Sequence, residues 1–157
     1  FRRVLFRSKS PKTEFVGKSA KYILDKIGIT VGDDVKVILM EAKEDHPFVQ
    51  VELMMPILPL VRVPDVDQAI EMAVRVEHGN RHTAMMHSRN VEKLTKMAKL
   101  IQTTIFVKNG PSYAGIGVGG EGYTTFTIAG PTGEGLTSAK SFARRRRCVL
   151  VGGMDVR

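Results

Sequence analysis

A chain of 157 residues, 43% apolar and 25% charged, is long enough for one ordinary domain with its own core and has the composition of a soluble globular protein. No apolar run is long enough to span a bilayer, since the run from Met54 to Leu60 is broken by Pro56 and Pro59; a membrane partner is therefore not expected. The single cysteine, Cys148, rules out an intrachain disulfide, and the absence of a secretory pattern at the start predicts a cytoplasmic setting.

The net charge of +8 raises the possibility of a polyanion partner, yet three of its charges are Arg2, Arg3 and Arg7. The opening Phe1-Arg2-Arg3-Val4-Leu5-Phe6-Arg7-Ser8 back-translates to a string that looks like a common sequencing adapter. Residues 1–8 are accordingly expected to be read-through, and residues 9–157 the chain proper. Setting the three arginines aside lowers the net charge to +5.

In chain order, Ala20, Ile23, Leu24 and Ile27 fall on one helical face and Gly28 supplies a left-handed stop, with Lys18, Lys21 and Lys26 on the wet side. Val35–Met40 and Phe48–Leu53 read as strands by their β-branched and aliphatic content, joined by a charged, solvated connection that includes Glu41, Glu44, Asp45 and His46. Pro56–Val63 reads as a further extended segment. Pro64 ends it, and Asp65 caps a helix with Gln68 completing a capping box, Val66, Ala69, Ile70, Ala73 and Val74 as its stripe, and Gly79 as its close. Thr83–His87 is predicted as a strand, Asn90 as the cap of a third helix, and Thr104–Val107 as the next strand. That alternation is the βαβ signature of a parallel sheet, so the fold class is α/β.

The richest stretch runs from Thr103 to Cys148. Gly115–Gly120 satisfies the letters G-x-G-x-x-G, but a dinucleotide turn needs a helix opening at its last glycine, and the residues after Gly122, Tyr123–Ile128, are strand-like. Gly130–Gly135 resembles a phosphate cradle without the Lys-Ser/Thr of a P-loop. Thr137 or Ser138 is predicted to cap a helix that carries Ala139, Phe142 and Ala143. Its last turn would hold Arg144–Arg147, where the helix dipole favours cations and where four arginines could also grip a polyphosphate. His78, His82 and His87 lack metal-ligand spacing, so no metal site is predicted. Cys148 opens the apolar run Cys148–Val151 and reads as a small buried residue, not a nucleophile.

Three stretches together resemble one family. Val51-Glu52-Leu53-Met54-Met55-Pro56-Ile57-Leu58-Pro59-Leu60-Val61, Glu77-His78-Gly79-Asn80-Arg81-His82-Thr83-Ala84 and nearly all of Thr103–Leu150 are similar to the C-terminal part of CoA-acylating aldehyde dehydrogenases of the ethanolamine and propanediol type. The resemblance implies a partial aldehyde dehydrogenase catalytic domain with a parallel sheet flanked by helices and a C-terminal oligomerisation strand near Cys148–Val151. It implies oxidation of a short-chain aldehyde to acyl-CoA with NAD and coenzyme A through a cysteine thioester. Glu52 matches the glutamate that holds the nicotinamide ribose hydroxyls, and the loop of Asn109 and Tyr113 matches a lining of the aldehyde pocket. The nucleophile and coenzyme-binding domain lie upstream in that family, so no catalytic residue is assigned here and the piece alone is expected to be inactive. The resemblance further implies a homo-oligomer when full length, in the cytoplasm or a bacterial microcompartment, without a nucleic-acid partner. The alternative is a small basic module that binds nucleic acid or another polyanion through Arg144–Arg147.

Overall fold

Ser19 begins the first longer helix, its hydroxyl accepting from the Tyr22 N–H at 3.2 Å. In the computed structural model, which describes residues 2–7, 10–120, 128–129, 135–149 and 151–152, the chain divides into two units, Phe1–His78 and Gly79–Arg157.

The first unit opens with a helical turn α1 (Arg2–Leu5) and a small antiparallel pair, β1 (Phe6–Arg7) with β2 (Ser10–Pro11). Helix α2 (Ala20–Asp25) follows its Ser19 cap and buries Ala20 and Ile23; it ends three residues before the predicted stop, with Lys26 as its C-cap, and Gly28, at φ +80°, closes the turn that follows. Strands β3 (Ile38–Glu41) and β4 (Ile57–Leu60) pair in parallel, with Ile38 opposite Ile57 and Leu39 opposite Leu58. The strand predicted from Val35 begins three residues later, because Val35 donates to the Gly32 carbonyl in a turn.

The predicted strand Phe48–Leu53 is overturned over its first half: Pro47–Gln50 is a helical turn, α3. The His46 ring nitrogen accepts from the Phe48 N–H at 3.1 Å, and Pro47 sits where a missing N–H costs nothing. Local capping outweighs the strand preference of Phe48 and Val49. The turn drives Phe48 into the core with Phe15, Ile23, Leu53 and Ile57. Leu5 and Phe6, set aside in the sequence reading, are in that core too, Leu5 fully buried and Phe6 stacked on Phe48 with ring centroids 5.1 Å apart.

Helix α4 (Val66–Val76) closes the unit. Asp65 caps it, accepting from the Gln68 N–H and from the Gln68 side-chain amide, both at 2.9 Å; Gln68 thus returns to the capping carboxylate itself. These donors hold the Asp65 carboxyl below its ordinary pKa. Arg75, in the last turn, makes a two-pronged bond to Glu44 at 2.9 and 3.1 Å and holds that carboxyl low as well.

The second unit is a βαβ: β5 (Thr83–Met86), α5 (Val91–Ile101) and β6 (Ile105–Lys108), the strands parallel with Thr83 opposite Ile105. Asn90 caps α5 through the Lys93 N–H, and Leu94, Met97 and Ile101 form its buried stripe. After β6 a 3-10 turn (Ser112–Ile116) folds back so that Ile116 packs with Ile105 and Val107. Strands β7 (Ile128–Ala129) and β8 (Gly135–Leu136) pair antiparallel. The predicted strand from Tyr123 falls mostly outside the described residues, as does most of Gly130–Gly135.

The predicted final helix is a single 3-10 turn, Ala139–Phe142, capped by Ser138 and Ser141 reciprocally. Ala143 is already extended, so Arg144–Arg147 form no helical turn, are exposed, and owe nothing to a helix dipole. Cys148, expected to be buried, is exposed. Among the described residues the parallel strands form two separate pairs instead of one continuous sheet. The chain is an α/β fragment with short parallel sheets flanked by helices. No helix among the described residues is long and apolar enough to cross a membrane.

Candidate functional site

Glu52 follows Val51, the extended C-cap of α3, and is exposed, while its neighbour Leu53 is buried. Two residues on, Met54 takes a left-handed conformation at φ +53°, with its side chain 62% exposed and its carbonyl accepting from the Gly17 N–H at 2.9 Å. This bond ties the segment after α3 to the chain entering α2. Between the two lies an open cavity of about 650 Å³ with Met54, Met55 and Pro56 on one side and Gly17–Lys21 on another. Asp33, Val35 and Lys36 complete its wall, and Lys21 pairs with Asp33 at 3.2 Å. Lys18 and Lys21, read from sequence as part of a solvated face, thus also border a cavity, which Lys26 does not line. The Gly17-Lys18-Ser19 run just before the helix was the one signal that could have pointed there.

Asn109 and Tyr113 belong to the second unit and share the loop that leaves β6. Asn109 has φ +54°, and both ends of its side-chain amide engage the Ser88 backbone: the oxygen accepts from Ser88 N–H at 2.7 Å and the nitrogen donates to the Ser88 carbonyl at 2.9 Å. Its own N–H reaches the Met86 carbonyl at 3.0 Å. Asn109 therefore fastens the turn after β5 to the turn after β6, at the carboxyl end of the parallel pair where α/β sites form. Tyr113, four residues on, is 59% exposed.

The G-x-G-x-x-G letters have a packing explanation. A methyl group on Gly115 would strike the Ile105 side chain, and one on Gly120 would lie 2.7 Å from the Ala114 carbonyl oxygen. Gly117 takes φ +92°, closing the 3-10 turn. No helix starts on Gly117–Gly120. His78 and His87 are exposed, His82 meets the Thr83 hydroxyl at 2.7 Å, and no metal-binding cluster occurs among the described residues.

The aldehyde dehydrogenase family profile matches residues 35–134, well over half of the chain. The chain belongs to the aldehyde dehydrogenase family. Within it, the chain is 56% identical over 145 residues to the CoA-propanoylating propanal dehydrogenase of Citrobacter freundii, covering 92% of this chain and 32% of that protein. The crystal structure of Rhodopseudomonas palustris propionaldehyde dehydrogenase with bound propionyl-CoA superposes with a TM-score of 0.88 at 72% identity, over 94% of this chain and 33% of that one. That protein has also been solved with CoA and an acylated cysteine, and an engineered glycolyl-CoA reductase, 72% identical, holds NADP+. A propionaldehyde dehydrogenase from a Clostridium phytofermentans fucose-utilisation microcompartment superposes at 0.86 with 51% identity, over 98% of this chain and 35% of that one. The chain is thus a homologue of part of the CoA-acylating propionaldehyde and acetaldehyde dehydrogenases, spanning about a third of their length.

Proposed function

We propose that the chain is the C-terminal part of an enzyme that oxidises a short aldehyde to its acyl-CoA, with NAD or NADP taking the hydride and coenzyme A taking the acyl group from a cysteine thioester. The observation that carries this is its 72% identity, over 94% of its length, to a protein holding propionyl-CoA. The residues present fit a nucleotide coenzyme. Glu52 offers an exposed carboxylate able to accept from two neighbouring hydroxyls, as a ribose presents. The adjoining cavity is lined by apolar Met54–Pro56 together with Lys18, Lys21 and Lys36, with the Lys21 ammonium paired to Asp33. We assign Glu52 to the coenzyme ribose and Asn109 and Tyr113 to the aldehyde-side loop, Asn109 holding that loop's shape and Tyr113 offering its ring. The nucleophile belongs to the upstream part, and exposed Cys148 has no role in the chemistry.

We further propose that the full-length enzyme is a cytoplasmic homo-oligomer packaged in a microcompartment; the C. phytofermentans relative, which comes from one, supports that reading. Arg144–Arg147 are exposed, but family membership makes an enzyme a better reading than a free-standing nucleic-acid module.

The test is to fuse residues 9–157 behind the upstream two-thirds of the R. palustris protein and measure reduced coenzyme. Formation that requires both propanal and CoA is expected, with none from the 157-residue chain alone. Glu52→Gln in the fusion should raise the KM for coenzyme roughly tenfold, the loss of one charge-assisted hydrogen bond, while leaving the melting temperature unchanged. A folded but inactive fusion, or an unchanged KM, refutes the respective assignment.

A further inference from the structure

Glu52 stands two residues beyond the helical turn α3 and is carried by whatever holds that turn. The turn is four residues long, too short to persist on its own propensity, so its shape depends on the bonds at its ends. At the front His46 supplies them. Its carbonyl accepts from the Val49 and Gln50 N–H groups at 2.8 and 3.2 Å, and its ring Nδ1 accepts from the Phe48 N–H at 3.1 Å. The ring also meets Phe48 edge-on, centroids 4.8 Å apart, and Phe48 is buried in the core of the first unit. At the back the Val51 N–H reaches the Pro47 carbonyl at 3.1 Å, and Leu53 is buried. The Gln50 side-chain amide donates to the Glu44 carbonyl at 2.6 Å, while Arg75 of α4 holds the Glu44 carboxylate. Glu52 thus leaves a turn fixed at both ends, with its own side chain exposed.

A ring nitrogen is a conditional cap, because it accepts only while it carries no proton. Asn and Ser, two common capping residues, accept at any pH between mildly acidic and neutral. With Nδ1 accepting, Nε2 holds the hydrogen of the neutral ring. A second proton must go to Nδ1, where it takes up the lone pair and sets one donor against the Phe48 N–H. Glu41 of β3, bound to Arg62, lines one open cavity of about 430 Å³ with Lys43, Asp45 and the His46 ring. Glu44 with Arg75 of α4 completes the set of charged groups around the ring.

We infer that His46 is a positioning residue for coenzyme binding: while its ring is neutral it caps α3 and sets Glu52, and protonation of the ring loosens both. The inference rests on the proposed function for what Glu52 holds.

The experiment uses the fusion of residues 9–157 to the upstream part of the R. palustris protein, at about pH 8 and about pH 5.5, a span across which imidazoles take up a proton. Two readouts are compared: amide hydrogen exchange of the peptide spanning residues 47–52, and the KM for coenzyme set beside the KM for propanal. His46→Asn, whose side-chain oxygen caps without titrating in that span, is the reference at each pH, so that the pH dependence of exchange chemistry and of the nucleophile cancels. At pH 8 the unsubstituted fusion should match this reference. At pH 5.5 it should exchange about fivefold faster and show a coenzyme KM about fivefold higher, as fits the loss of one cap, with the propanal KM unmoved. His46→Ala should show both losses already at pH 8.

Exchange indifferent to His46→Ala overturns the inference, as does an unsubstituted fusion that matches His46→Asn at pH 5.5. A propanal KM that rises in step with the coenzyme KM overturns it too, because a general loss of structure would do the same. Faster exchange with an unmoved coenzyme KM overturns it where Glu52→Gln raises that KM. A coenzyme KM that Glu52→Gln leaves unchanged refutes instead the assignment of Glu52 on which the inference rests.

Discussion

Asn109 combines a left-handed backbone with a side chain whose two polar ends are both spent on Ser88, so its backbone and side-chain contributions can be separated. Asn109→Gly keeps the conformation and loses the two hydrogen bonds, while Asn109→Ala loses both. Gly should cost about 1–2 kcal/mol of unfolding free energy, at a net value near 1 per hydrogen bond. Ala should cost about 1 kcal/mol more for the crowded β-carbon, with both read from denaturant titrations. Gly120 is a second such position: Gly120→Ala drives a methyl against the Ala114 carbonyl and should cost about 1–3 kcal/mol by overpacking, with the loss in stability seen before any ligand is added. Neither role was legible beforehand. The glycine letters suggested a ligand, and Asn109 entered through family resemblance; what each glycine abuts is a property of the folded chain. Glu52 was likewise reachable only by resemblance, since an exposed carboxylate between two structured elements carries no mark of function in its own spacing.

At the scale of elements, caps proved the most readable feature. Asp65 and Asn90 were placed correctly because a short polar side chain before an apolar stripe has one obvious use, and the βαβ of Thr83–Lys108 followed from alternating periods. The failures lay where a local bond outvotes propensity: His46 and Pro47 turn Phe48–Gln50 helical, and Ser138 with Ser141 holds only one 3-10 turn before Ala143 breaks out and carries the arginines with it. The Asp65 cap also predicts a pH response. Its folded carboxyl titrates below the ordinary Asp value, so the stabilisation is complete above a pH of about 4 and fades as pH falls through the folded value. The melting temperature should therefore decline on acidification in that range. Asp65→Asn, which keeps an acceptor that does not titrate, should flatten that part of the decline, and the Glu44–Arg75 pair should supply the remainder in the same direction.

On the scale of the whole molecule, length and composition suggested one ordinary domain with its own core, whereas the chain divides into two units with separate core clusters; the α/β class was legible. Division of the parallel strands into two separate pairs was not, because hydrophobic period tells that a strand is buried without telling which strand lies beside it. Nor did any pattern show that Leu5 and Phe6 would enter the core of the first unit. The exposed Leu39, Leu58 and Leu60 of β3 and β4 carry one further consequence, for temperature. An assembly held by apolar contact is driven near room temperature by the entropy of released water, with a negative change in heat capacity, and that drive fades on cooling. Any contact made over Leu39, Leu58 and Leu60 should therefore weaken on cooling and recover on warming, as read by sedimentation. Cold, the usual safeguard for a purified protein, would here loosen whatever contact covers these leucines.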